Sequence, residues 1–135
     1  MEIVAQRFQR GACLTSPDST RQYLMLQLAD RPHEVFGALF LDSQHQLIQN
    51  EELFRGTIDS TAVYPRFMVQ RALQLNAAAV IIYHNHPSGV PEPSGADRSI
   101  TTKLEASLQL VDVRIIDHIV VAGTSTVSFA ERGWL

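Results

Sequence analysis

Seven consecutive residues, Val35-Phe-Gly-Ala-Leu-Phe-Leu41, carry no polar side chain. Side chains alternate across a strand, so a run with no polar member offers neither face to water. The run is strand-sized, with Arg31-Pro32 before it and the turn-forming Asp42-Ser-Gln-His45 after it. It reads as a central strand. A second such run, Ala77 to Tyr83, is rich in Ala, Val and Ile and reads as a short buried strand. Gln46 to Gln49 begins a strand returning from the first, and Glu52 to Ile58 is predicted as a third, making an antiparallel meander. Helical spacing appears in three places. Ser16-Pro17 supplies an N-cap and first helical residue ahead of Tyr23, Leu24 and Leu28. Pro65 precedes Phe67, Met68, Ala72 and Leu75, and a third stripe joins Ile100, Leu104, Leu108 and Val111. Ile115 to Ala122 and Thr126 to Phe129 are predicted to close the fold around Gly123-Thr124. The expected class is α/β, with helices packed on a mixed, largely antiparallel sheet. Residues 1–15 are predicted to form an N-terminal arm and residues 16–135 a single domain.

The bulk properties narrow the function. A chain of 135 residues can bury a real core. Eleven basic against fourteen acidic residues give a net charge of −3, and the arginines are scattered rather than gathered into a stripe. That weighs against nucleic-acid binding as the main task. No apolar run approaches the roughly 20 residues that span a bilayer. The start, MEIVAQRFQR, has no apolar core of a signal peptide. Cys13, the single cysteine, cannot form an internal disulfide and reads as an inert thiol. A cytoplasmic protein without a membrane partner is expected.

The chemistry is concentrated in Tyr83-His-Asn-His-Pro-Ser-Gly-Val-Pro-Glu-Pro-Ser-Gly-Ala-Asp97, whose stretch from His84 to Gly95 reads as loop. His84 and His86, two apart at the end of a buried strand, point to the same side of an extended backbone. Neutral imidazoles are good zinc ligands, and Asp97, at the expected start of the next helix, can complete a three-ligand set. Three protein ligands leave a position for water, whose pKa zinc lowers to roughly 7. Glu34, a charged residue at the entrance of the first central strand, is the candidate general base. Glu51 and Glu52 are the alternatives.

The spacing His84-x-His86, seven residues, Ser94, two residues, Asp97, with an upstream glutamate, resembles the JAMM motif of JAB/MPN metalloproteases. More narrowly, His-Asn-His-Pro-Ser-Gly followed by Pro-Ser-x-x-Asp, with Gly56-Thr57, Pro65-Arg66 and Asp117-His118-Ile119, is similar to the bacterial RadC group. The resemblance runs from about Ser16 to Gly133. It implies the MPN fold, one zinc ion held by His84, His86 and Asp97, Ser94 as an oxyanion donor and Glu34 as acid/base. Full-length RadC proteins carry an N-terminal helix-hairpin-helix region, for which this sequence has no room. A short stand-alone member or a piece of a longer protein is therefore expected, and the strongest reason for a DNA role is absent.

Ser94-x-x-Asp97 before an apolar stripe is also a capping box, and both roles are compatible. Asp117-His118 reads as hydrogen-bonded structure, with orientation of a ligand ahead of direct ligation. His33 and His45 fall in turns and read as solvated. Asn85 and Ser88 are expected to support the loop, and Gly89 to allow its turn. The leading expectation is a zinc metallopeptidase or isopeptidase acting on a peptide or protein. A metal-dependent nuclease associated with DNA repair, and a zinc-stabilised binding module without catalysis, are the alternatives.

Overall fold

A computed structural model describes residues 16–56 and 63–135. The predicted arm, residues 1–15, lies outside them. In chain order the elements are α1 (Pro17–Leu28), β1 (Val35–Leu41), β2 (Leu47–Arg55), α2 (Pro65–Gln74), β3 (Ala79–Asn85), α3 (Gly95–Gln109), β4 (Arg114–Ala122) and β5 (Ser125–Ser128). The strands form one sheet in the order β2-β1-β3-β4-β5. Only β3 and β4 run parallel, and α3 makes the crossover between them. The other neighbours are antiparallel, so the sheet is mixed and largely antiparallel as the sequence suggested. Among the described residues no helix is long and apolar enough to cross a membrane.

β1 is buried along its whole length because both faces are covered. Phe36, Ala38 and Phe40 face Met68 and Ala72 of α2 and Ile100, Leu104 and Leu108 of α3. Val35, Leu39 and Leu41 face Leu24 and Leu28 of α1. Each fully buried aliphatic side chain contributes roughly 1.5–3 kcal/mol of transfer free energy. The stripe Ile100, Leu104 and Leu108 thereby anchors α3, and the aspartate in its first turn, against the sheet. Ser16 caps α1 by accepting the Ser19 N–H at 3.4 Å, with Pro17 at the first helical position.

Two expectations are corrected. The predicted third strand, Glu52 to Ile58, is not separate: Glu52 to Arg55 continue β2, and Ile58 lies outside the described residues. β1 therefore pairs with β2 on one side and β3 on the other, not in a three-strand meander. The polar stretch Asn50-Glu51-Glu52 lies within β2, and an edge strand tolerates it because each side chain has a partner. Glu51 pairs with Arg71, Glu52 with Arg31 at 2.6 Å, and Asn50 with Tyr83 at 2.6 Å. Irregularities opposite Phe36/Gly37 and Phe40/Leu41 absorb extra residues and bend the edge. The second correction concerns the loop. β3 runs through Asn85, so His84 is a strand residue, opposite Phe36 of β1 and Val120 of β4.

Candidate metal centre

His84 enters the site from β3 with no exposed surface, its ring stacked on that of Phe36 at 6.1 Å. His86 lies just beyond the strand, and its N–H still donates to the Val121 carbonyl at 2.8 Å. The backbone is thus held extended across both histidines, and alternation sends their rings to the same side. The chain then turns: Gly89, at φ 87, donates to the His86 carbonyl at 3.0 Å. This left-handed conformation favours glycine. The turn brings the Val90 carbonyl 2.9 Å from His86 Nδ1. Farther along, Glu92 forms a two-bond ion pair with Arg132 at 2.7 and 2.9 Å, tying the loop to the C-terminal turn.

Asp97 is the third residue of α3. Ser94 caps that helix by accepting the Asp97 N–H at 3.0 Å, and Asp97 Oδ2 accepts the Ser94 N–H at 2.8 Å. This reciprocal capping box fixes the carboxylate. The remaining geometry brings it to the histidines. His84 Nε2 is 3.2 Å from Asp97 Oδ1, His86 Nε2 is 3.1 Å from Oδ2, and the two Nε2 atoms are 2.9 Å apart. One ligand atom from each of the three residues lies within 4.8 Å of the others, so the cluster can hold a metal ion.

The charges reflect this crowding. Burial works to raise the Asp97 carboxyl, but the two imidazoles and the Ser94 N–H outweigh it and hold it far below the usual range. The Asp97 carboxylate raises His86 against the opposing effect of burial, and the Val90 carbonyl and the charge of Glu34 add to the rise. Glu34 is half-buried immediately before β1. Phe36 pairs with His84, so continuing the antiparallel register sets Glu34 opposite His86. Its carbonyl accepts the Gly56 N–H at 2.9 Å.

Asn85 is corrected from its expected place. Its side chain does not support the loop that follows. Buried between the two histidines in sequence, it accepts the Val35 N–H at 2.6 Å and donates to the His33 carbonyl at 3.1 Å. One carboxamide therefore clamps the backbone on both sides of Glu34. Alternation carried the signal, because Asn85 must point away from the face that His84 and His86 share. Ser88 does support the loop, accepting the Val90 N–H at 3.4 Å.

The other candidates separate cleanly. Glu51 and Glu52 face Arg71 and Arg31 on the sheet edge. His33 is exposed, and His45 occupies a turn at φ 61. Asp117 accepts from the Ser128 hydroxyl at 2.6 Å and the Ala130 N–H at 3.0 Å, which is a structural task. His118 is fully buried, and its Nε2 lies 2.7 Å from His84 Nδ1. Burial and the neighbouring His84 push His118 well below the usual imidazole range. Phe129 stacks on it at 4.4 Å. Thr101, which the sequence did not single out, has its hydroxyl oxygen 2.6 Å from His118 Nδ1. Its position four residues after Asp97, on the inner side of α3, was the available signal.

Residues 14–134 match the family model of the RadC-like JAB domain. A UPF0758 protein of Aeromonas hydrophila is 61% identical over 132 residues, covering 98% of this chain and 59% of the relative. One from Vibrio cholerae is 58% identical over 134 residues, covering 99% of this chain and 84% of the relative. One from Shewanella denitrificans is 61% identical over 133 residues, again covering 59% of the relative. The chain thus spans about three-fifths of the length of several relatives it matches. The family match takes in every described element from α1 to β5, and on that coverage the chain belongs to the RadC family of JAB domains.

Proposed function

We propose that the protein is a zinc-dependent hydrolase that cleaves an amide bond in a peptide or protein, a peptidase or isopeptidase reaction. The observation that carries this reading is the convergence of acceptors. A carbonyl oxygen only accepts, so His86 donates from Nδ1 to Val90 and, when neutral, turns a lone pair at Nε2 toward His84 and Asp97. Such atoms repel unless a positive charge sits among them. Two imidazole nitrogens and one carboxylate are the donor set of a catalytic zinc site, with a position left for water. When bound, zinc supplies Lewis acidity, polarising a carbonyl and lowering the pKa of water to roughly 7.

The chain's own residues supply the rest. Glu34, whose charge reaches His86, takes a proton from the attacking water and passes it to the departing amine. The Ser94 oxygen is used as an acceptor in the capping box, which leaves its hydroxyl proton to donate to the oxyanion that forms on the substrate carbonyl. The Asn85 clamp holds Glu34 against the site while that proton moves. Metal analysis of the purified protein, paired with a peptide-library cleavage assay, tests the proposal. Stoichiometric zinc is expected in the wild type and in Glu34→Gln, and cleavage in the wild type alone. His84→Ala should lose both. Full cleavage by His84→Ala would sink the reading, and so would a wild type that binds no metal.

A further inference from the structure

Metal-bound histidines usually give their second N–H to a carboxylate, a backbone carbonyl or water. His86 follows that habit through Val90. His84 does not: the atom facing its Nδ1 is Nε2 of another imidazole, His118, at 2.7 Å. A carbonyl has one possible role in a hydrogen bond, but an imidazole nitrogen has two. Something else must decide which ring holds the proton.

The decision can be traced from one bond of unambiguous direction. Thr101 Oγ1 lies 2.7 Å from the Asp97 carbonyl oxygen, which can only accept, so the hydroxyl proton is spent there. Toward His118 Nδ1, at 2.6 Å, the same hydroxyl can then only accept. His118 must carry its proton on Nδ1. In a neutral ring, Nε2 is then a lone pair, and His84 must donate to it from Nδ1. That leaves His84 Nε2 unprotonated, directed at His86 Nε2 and Asp97 Oδ1. The rings are held in place as well, with His118 stacked on Phe129 and nearly perpendicular to Phe36.

We infer that Thr101 and His118 are positioning residues for the metal ligand His84: a directed chain from the Asp97 carbonyl through both side chains fixes His84 as its Nδ1–H tautomer. The inference rests on the metal-site reading above. Asp97 enters the arrangement twice, through its carboxylate toward the ligand cluster and through its carbonyl at the far end of the relay. Helix α3, strand β4 and strand β3 are thereby linked through the ligands, and a shift of the helix disturbs His84 as well as Asp97.

The decisive measurement is a long-range proton–nitrogen-15 correlation spectrum of the zinc-free wild type, with His84 assigned. An Nδ1–H imidazole at His84 is expected, and an Nε2–H imidazole overturns the inference. Zinc affinity, read by competition with a chromophoric chelator, gives a second arm. Thr101→Val keeps the shape but removes the hydroxyl, and should weaken zinc binding roughly 10- to 100-fold. Thr101→Ser restores the hydroxyl and should bind within about twofold of wild type, a rescue that packing alone does not produce. Folded Thr101→Val with wild-type affinity overturns the inference. Should that variant fail to fold, the spectrum of the wild type decides. A wild type that binds no zinc defeats the metal-site reading, yet the tautomer of His84 still answers for the relay.

Discussion

Tyr83 and His84 are neighbours in β3, equally buried, and each heads a polar network on its own face of the sheet. On the α1 face the network closes. Tyr83 donates to Asn50 Oδ1 at 2.6 Å, Asn50 donates to Gln27 Oε1 at 2.8 Å, and Gln27 donates back to Tyr83 at 3.1 Å. Burial pushes the Tyr83 phenol above its ordinary value, which keeps it a donor. On the α3 face the network runs from Thr101 through His118 to His84 and ends on His86 and Asp97. Burial does not distinguish the two networks. One closes on itself and stabilises the fold, while the other ends on three residues that could hold a metal ion.

The largest separation between the two faces should come from zinc. A ligand that binds only the folded state, at 100 times its Kd, adds about 2.7 kcal/mol. Zinc at that excess should raise the wild-type unfolding free energy by this amount in urea titrations, and raise Tyr83→Phe equally from a lower baseline. Asp97→Ala should gain nothing. A Tyr83→Phe protein that no longer responds to zinc would show that the networks are coupled through the strand.

Gly37→Ala addresses the closed face next. Gly37 lies beside Tyr83, and an added Cβ would overlap Tyr83 Cζ and OH and approach the Glu51 carbonyl oxygen at 2.7 Å. A backbone atom cannot swing aside as a flexible side chain does. Overpacking of this kind costs about 1–3 kcal/mol. The loss should appear in the urea midpoint, with zinc affinity unchanged. A matching loss of zinc affinity would break the separation of the faces.

The sequence made the α3 face more legible than the α1 face, for a physical reason. His84, His86 and Asp97 are close along the chain, joined by a Pro/Gly loop, so their meeting is a local event. The apolar runs likewise identified β1 and β3 from composition alone. Tyr83, Asn50 and Gln27 come from three separate elements and meet only because β1 lies between β2 and β3. That pairing is missed when β2 is divided into two strands, one beginning at Gln46 to Gln49 and another from Glu52 to Ile58. The polar residues of an edge strand look like a turn until their partners on α1, α2 and β3 are known. Thr101 and Asn85 were hidden similarly, since only tertiary structure reveals that one addresses His118 and the other brackets Glu34.

The smallest effect concerns the ion pair at the rim of the closed face, Arg31 with Glu52, joined by two bonds at 2.7 and 2.6 Å. The side chains are 28% and 24% exposed, so solvent screens much of the attraction. Arg31→Met should cost no more than about 1 kcal/mol at pH 7. The pH dependence identifies the origin of that cost. Arg31, chiefly through its hydrogen bonds, lowers the Glu52 carboxyl below its ordinary 4.5, against the opposing effect of burial. A carboxyl depressed in the folded state contributes its full stability above the unfolded value, and loses it as pH falls through the folded value. The gap between wild type and Arg31→Met should therefore be complete near neutrality, shrink below about pH 4.5, and vanish once Glu52 is protonated in both states. Urea midpoints at pH 7 and in acid would measure it. A gap that persists in acid would assign the contribution to the packed stem of Arg31, making this rim another apolar contact of the closed face.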